Sequence, residues 1–274
     1  MRYLHHNTKI LICFAALISL LDIMCGHTDV TAVLDAEGHF ALGKKKFLDK
    51  DYLEAISEFE VIRLQYPGSV IADSAQYYLG ECHFYQDEFL LAAEEYQTLR
   101  RNMPASPLVP LAQYKIAMCY YNLSPKSSLD QSYTKRAIDE FQTFIEYYPK
   151  SDLVKGAEEK ITELNTKLAK KIFDSGILYM KLDDYASATL YFNLVIEKYH
   201  DTPYAELAQL NKVRTLVARK KYAEARTEIE KYFDKYPSTA NRGDADALRK
   251  DIDDHLKSDS AVIDYSRLSG EQFS

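Results

Sequence analysis

Ser74-Ala75-Gln76-Tyr77-Tyr78-Leu79-Gly80-Glu81-Cys82-His83-Phe84 and Leu111-Ala112-Gln113-Tyr114-Lys115-Ile116-Ala117-Met118-Cys119-Tyr120-Tyr121 are one phrase written twice, 37 residues apart. A second element travels with it. An aromatic residue stands three places before an alanine at Tyr52/Ala55, Phe89/Ala92, Tyr185/Ala188 and Tyr222/Ala225, and Ala137 marks a further copy without the aromatic. Four places past each alanine comes Phe59, Tyr96, Phe141, Phe192 or Ile229. Twelve places past it comes Pro67, Pro104, Pro149, His200 or Pro237.

These spacings have a physical cause. A small and a bulky residue at i and i+4 share one helix face, so a neighbouring helix approaches closely at the first and packs on the second. The proline then ends the helix, because it removes a hydrogen bond from the ladder. Two residues on, Ser69, Ser106, Ser151, Thr202 or Thr239 is suited to cap the next helix, and Ser106-Pro107 and Thr202-Pro203 place proline at its first position. Gly43, Gly80 and Gly176 lie twelve residues before the alanine, on the preceding helix, where a missing side chain permits tight contact. The pattern is that of the tetratricopeptide repeat, and it predicts an all-α fold: an α-α solenoid of five helix pairs with a capping helix at the carboxy-terminal end.

Two departures from regularity shape the organisation. Ala92 to Ala137 is 45 residues instead of 37, and the excess falls in the polar stretch Ser124 to Ser132, expected as a loop interrupting the third pair. Ala137 to Ala188 is 51, with Val154, Ala157, Ile161, Leu164, Leu168 and Ile172 spaced as on one long helix. This strut divides the chain into repeats 1–3 over residues 36–151 and repeats 4–5 with the cap over 152–257. Ala245, Leu248, Ile252 and Leu256 mark the capping helix, and residues 258–274 are expected to be a mobile tail.

Composition agrees with a helical, globular chain. The 274 residues are 47% hydrophobic, with 22 Tyr, 12 Phe and no Trp, and nine Gly and eight Pro are too few for a turn-rich β fold. The first 24 residues differ from the rest. Arg2, His5, His6 and Lys9 precede the unbroken apolar run Ile10 to Leu21, which has the form of an export signal and is too short to span a bilayer. Removing it leaves 32 basic against 40 acidic side chains, a net charge of −8 that argues against nucleic acid as a ligand. Cys25 follows directly, where a lipoprotein would carry its acyl chains, with residues 25–35 as a tether. Asp22 and Met24 depart from the usual lipoprotein signal, and a secreted protein with an incidental cysteine is the alternative. A covalent lipid on Cys25 would hold the protein on a membrane surface without spanning it.

Catalytic and metal-binding patterns are missing from the sequence. Gly38 to Lys44 begins like a phosphate-binding loop, but Lys45 stands where Ser or Thr should hold magnesium, within a repeat helix. His27, His39, His83, His200 and His255 are never spaced for a helical metal site, so no enzyme activity, metal or cofactor is expected. Cys82 and Cys119 hold equivalent places in successive repeats and are expected to be buried and beyond the reach of a disulfide, a bridge after local rearrangement being the alternative. The expected functional surface is the groove formed by the first helix of each pair: Phe40, Lys44 and Phe47, then Tyr77, Glu81 and Tyr85, then Tyr114, Met118 and Tyr121. Such an aromatic trough suits extended peptides.

Taken together, the signal, the five repeats, the insertion in the third and the long helix opening the fourth resemble the BamD (YfiO) family of outer-membrane assembly lipoproteins. The specific stretch runs from Ala137-Ile138-Asp139-Glu140-Phe141 through Tyr148-Pro149-Lys150-Ser151, Ala157-Glu158-Glu159-Lys160-Ile161 and Leu168-Ala169 to Tyr199-His200-Asp201-Thr202. The resemblance implies a lipid-anchored protein on the periplasmic face of the outer membrane. It would be part of the BAM complex, binding the barrel insertase BamA through its POTRA domains and helping to insert unfolded outer-membrane proteins. It also implies that repeats 1–3 receive clients and repeats 4–5 contact the insertase. The alternative reading is a Tol-associated periplasmic repeat protein that coordinates cell division, a type that usually places a coiled coil before fewer repeats.

Overall fold

The computed structural model describes residues 34–270, with side chains to Ser258; the leader, Cys25 and most of the tether lie outside the described residues. Every element among them is a helix: α1 (Ala36–Leu48), α2 (Tyr52–Gln65), α3 (Ala72–Tyr85), α4 (Phe89–Asn102), α5 (Val109–Leu123), α6 (Ser132–Tyr147), α7 (Val154–Lys181), α8 (Tyr185–Lys198), α9 (Pro203–Ala218), α10 (Tyr222–Lys235) and α11 (Arg242–Gly270). Each packs on the next, so α1/α2 through α9/α10 form five antiparallel pairs stacked as an α-α solenoid, with α11 on the last.

The small-against-large pairing is what joins the two helices of a pair. A Cβ built on Gly43 would lie 2.7 Å from the Phe59 ring, one on Gly80 2.5 Å from Tyr96, and one on Gly176 2.6 Å from Phe192. All are shorter than carbon–carbon contact permits. In the fifth pair the equivalent places hold Val213 and Ile229, both fully buried in the terminal core, so a larger residue on one helix is matched by a smaller one on the other. Ala55, Ala92, Ala137, Ala188 and Ala225 are all fully buried. Pro67, Pro104, Pro149 and Pro237 follow the last residues of α2, α4, α6 and α10 on the exposed turns, as their spacing predicts.

The serines do not cap the helices as expected. Ser106 and Ser151 accept from the backbone N–H two residues on, at Leu108 (3.1 Å) and Leu153 (3.3 Å), and Thr239 accepts from Asn241 (2.9 Å). They close a preliminary turn, and the α-helix begins beyond it, at Val109, Val154 and Arg242. Pro107 therefore lies in that turn and Pro110 is the proline in the first turn of α5. Thr202 does stand directly before α9, but its hydroxyl donates to the Tyr199 carbonyl at 2.7 Å instead of capping.

The insertion is a built loop. Gln131, nearly buried, donates to the carbonyls of Lys126 (2.9 Å) and Leu129 (3.0 Å), and its own carbonyl accepts from Thr134 (2.8 Å). From α7, Lys167 reaches Ser124 Oγ at 2.8 Å and Lys171 reaches the Leu129 carbonyl at 2.6 Å. Helix α7 has 28 residues, about 42 Å at 1.5 Å each. Leu164 and Leu168 belong to the core of repeats 2 and 3, and Ala169 to that of the fourth, so one rigid helix is shared by both halves. At the other end, α11 runs on to Gly270, past Lys257 where a tail was expected to begin. Residues 258–269 contain neither proline nor glycine, so nothing there breaks the helix.

The turn inside each regular pair places a non-glycine residue in the left-handed region: Lys50 (φ 66°), Asp87 (φ 60°), Asp183 (φ 57°) and Lys220 (φ 57°). Only the third pair, with its insertion, lacks this turn among the described residues.

Two stability predictions follow from these contacts. Gly80→Ala should lower unfolding free energy by about 1–3 kcal/mol through overpacking against Tyr96, whereas Gly243→Ala, whose Cβ would meet nothing within 4 Å, should not. Denaturant titration distinguishes them. Lys220→Gly should raise stability by about 0.5–1 kcal/mol, because relief of the left-handed strain exceeds the added flexibility of the unfolded chain; a shift in melting temperature reads it.

Candidate functional site

The nine residues expected along the groove fall into three groups. The first is an aromatic cluster between the first and second pairs. Phe40 lies 5.8 Å from Phe59 and 5.9 Å from Tyr78, and Phe47 meets Tyr52, Tyr78 and Tyr85 edge-on at 5.7, 5.3 and 5.6 Å. Tyr85 stacks on Tyr52 at 5.8 Å yet remains 54% exposed. Two ammonium groups frame this cluster. Lys44 sits 4.0 Å above the Tyr78 ring and donates to its hydroxyl, and Lys115 sits 4.6 Å from the centre of Phe84. Lys115 is paired with Glu81 at 2.7 Å, so of the two it is Lys44 that can answer negative charge on an apolar or aromatic ligand at this cluster.

The second group is buried, which corrects the expectation for Tyr77 and Glu81. Tyr77 packs against Tyr96 at 5.5 Å, and burial, reinforced by the nearby Glu81 carboxylate, pushes its hydroxyl well above the ordinary tyrosine range. Glu81, 7% exposed, accepts from the Tyr96 hydroxyl at 2.5 Å and pairs with Lys115 of the next repeat at 2.7 Å. It ties three helices together and is not a contact surface. A buried charge of this kind is tolerated only where it is paired and hydrogen-bonded.

The third group lies at the junction with the strut. Tyr114 is wedged between Phe141 (5.7 Å) and Phe144 (5.4 Å), and burial raises its pKa. Met118 packs half-buried against the same core. Tyr121 donates to Glu163 at 2.7 Å and accepts from Lys160 at 2.8 Å, with the Lys160 ammonium 4.1 Å over its ring. Tyr114 packs α5 on α6, and Tyr121 fastens α5 to α7. The accessible part of the expected trough is therefore the patch around Phe47, Tyr85 and Lys44, extended by Tyr52, Phe84 and Lys115.

A recurring polar clasp went unread in the sequence. Four residues before the close-packing position, His39, Gln76 and Gln113 reach the acid preceding the bulky residue of the partner helix. His39 Nδ1 lies 2.6 Å from Glu58, Gln76 donates to the Glu95 carboxylate (2.5 Å) and carbonyl (3.1 Å), and Gln113 donates to the Glu140 carboxylate (2.9 Å) and carbonyl (3.1 Å). Arginines from the preceding pair complete it, Arg63 to Glu95 at 3.6 Å and Arg100 to Glu140 at 3.5 Å. The 37-residue spacing of His39, Gln76 and Gln113 was the available signal.

Cys82 and Cys119 are free and fully buried. Burial pushes both thiols up to about 12, with the neighbouring Glu81 adding to it. Among the described residues no group of three or more His, Cys, Asp or Glu is placed to hold a metal ion, and no helix is long and apolar enough to cross a membrane.

Stacked helix pairs with an exposed aromatic patch and a framework of polar clasps define a repeat scaffold of the tetratricopeptide class. Residues 34–205 match the model of the YfiO family, described as outer membrane lipoproteins, and the chain belongs to that family. No curated protein matches the chain. Similar solved structures include the TPR2AB domain of yeast Sti1 in a complex with pHSP90, at 15% identity over 84% of this chain and 87% of that one, with a TM-score of 0.43. A tetratricopeptide repeat protein from Parabacteroides merdae is 14% identical over 83% and 76%, with a TM-score of 0.35. The Thermus thermophilus repeat protein TTC0263 is 15% identical over 78% and 98%, also at 0.35.

The thiols supply a prediction. At pH 8 a group titrating near 12 is ionised in about one molecule in ten thousand. Alkylation followed by peptide mass spectrometry should leave Cys82 and Cys119 unmodified in the native protein and modify both in denaturant; rapid native labelling of either would contradict their burial.

Proposed function

We propose that this protein is a non-enzymatic assembly scaffold of the BAM complex, held on the periplasmic face of the outer membrane by a lipid on Cys25. In this reading repeats 4 and 5 bind the POTRA domains of a BamA-type insertase, and the aromatic patch of repeats 1 and 2 receives unfolded outer-membrane proteins. The observation that carries the reading is the family match over residues 34–205, which takes in the third-repeat insertion and the whole of α7, the features that depart from a plain repeat. The patch supports the client-binding part. Tyr85 is exposed, with the Lys115 ammonium 6.0 Å from its ring centre and Phe47 and Tyr52 packed against it. A braced aromatic surface loses little side-chain entropy when a peptide binds.

The test is co-purification from envelope extracts in mild detergent. The scaffold should bring down a POTRA-containing barrel protein, and its depletion should lower the level of outer-membrane barrels as a group. Tyr85→Ala with Lys44→Ala should weaken binding of unfolded barrel segments about tenfold while leaving insertase capture unchanged. Capture without any POTRA-containing partner, or normal barrel levels after depletion, would overturn the assignment. Mass spectrometry of the mature amino terminus reads the anchor directly, as a diacylglyceryl cysteine at position 25.

A further inference from the structure

Between the third and fourth pairs the polar clasp is replaced. Where the preceding junction has Arg100, Glu140 and Gln113, this one has Ile145, Tyr191 and Ile172. All three members turn apolar or aromatic together. At that place a cleft of about 490 Å3 opens, floored by Leu168, Ile172, Leu194 and Tyr191 and edged by Lys135, Lys171 and Lys198. Its volume is that of a small-molecule site.

The charges at the rim are unbalanced. In the second, third and fifth pairs the acid before the bulky residue answers a nearby cation: Glu95 with Arg63, Glu140 with Arg100, and Glu228 with Lys212 at 2.9 Å. Here that acid is Tyr191, which stacks on Tyr179 at 5.1 Å. Lys171 is held by the Leu129 carbonyl, but Lys135 and Lys198 have no ion pair or side-chain hydrogen bond among the described residues. Asp130, the one acid among the described lining residues, accepts from the Ser132 hydroxyl and, at 2.9 Å, from its N–H. Those bonds and the nearby Lys171 and Lys135 hold it below the usual carboxylate range, so one carboxylate faces three ammonium groups.

We propose that this cleft binds an anionic amphiphile, a carboxylate or phosphate head on an unbranched apolar chain, with the head at Lys135 and Lys198 and the chain over Leu168, Ile172 and Leu194. The lining favours an alkyl chain over a peptide. The Gln131 amide is committed to the Lys126 and Leu129 carbonyls and the Ser175 hydroxyl to the Lys171 carbonyl at 3.1 Å. Most of the surrounding backbone is helical, with Asp130, Gln131 and Tyr199 lying between helices. Lys135 and Lys198 could donate to a peptide's carbonyls, but the acceptors for its N–H groups are chiefly Asp130 and the tyrosine hydroxyls, so a peptide backbone would carry a desolvation cost that an alkyl chain does not. The site is separate from the patch at Tyr85; one wall belongs to the fourth pair, in the half proposed to contact the insertase, but the inference rests on the lining of the cleft alone and stands whether or not the assembly role does.

Calorimetric titration of the full chain with decanoate and with decyl phosphate, below their micelle concentrations, tests it. One saturable site is expected for at least one of the two anions, and none for decyltrimethylammonium. Lys135→Glu with Lys198→Glu, both on exposed positions, should weaken binding at least tenfold. Ile172→Gln with Tyr191→Glu, which rebuilds the clasp found in the neighbouring pair, should abolish it with helical circular dichroism retained; if that pair unfolds, the lysine pair decides. Equal binding of the cationic amphiphile, binding unchanged by the lysine pair, or binding of an acidic leucine-containing peptide but of neither anion would overturn the proposal.

Discussion

The close approach of a bare backbone to an aromatic ring is the contact on which the rest of the structure depends. Gly43, Gly80 and Gly176 leave room for Phe59, Tyr96 and Phe192 to lie flat against the opposing helix, at distances where even a methyl group would collide. Packing at that density fixes the angle between the two helices of a pair, because neither can rotate without losing dispersion contacts along its length. Stacking then repeats a fixed unit, and the solenoid is the geometric result. The fifth pair fills the same contact with Val213 and Ile229, both fully buried, so the glycine is one way of closing a pair and not a requirement.

Upon this frame the polar residues do a second job. The clasp of arginine, acid and glutamine spans consecutive pairs at the first two junctions, and the Tyr96–Glu81–Lys115 network links the second pair to the third. Tyr121, Lys160 and Glu163, together with the insertion pinned by Lys167 and Lys171, then fasten the third pair to the strut. The amino-terminal half is consequently braced by charge as well as by packing, and the aromatic patch at Tyr85 rests on its most heavily cross-linked part. The junction at Ile145, Ile172 and Tyr191 carries no such clasp.

What the sequence disclosed and what it concealed separate along a physical line. Spacings of four, twelve and 37 residues record contacts within a pair and the length of the pair itself, so the number of pairs, the strut and the positions of Phe59, Tyr96 and Phe192 were all legible. Tyr77 and Glu81 were placed in the groove because their helix face was known while the reach of Tyr96 and of Lys115, from two other helices, was not. Ser106 and Ser151 have the chemistry of caps, but a turn intervenes before the helix starts. Lys50 and Lys220 carried no hint of a left-handed backbone, since lysine is rarely found there. The clasp was legible and overlooked: His39, Gln76 and Gln113 recur at the repeat length, yet differ enough in type to hide the pattern.

A double-mutant cycle at Gly176 and Phe192 tests the central contact most directly. Gly176→Val and Phe192→Ile should each destabilise the protein, while the two together, which import the solution of the fifth pair, should recover at least about 1 kcal/mol relative to the sum of the single effects. Additive losses with no recovery would mean that the glycine and the ring do not act on each other, and the account of how the pairs are held would fail.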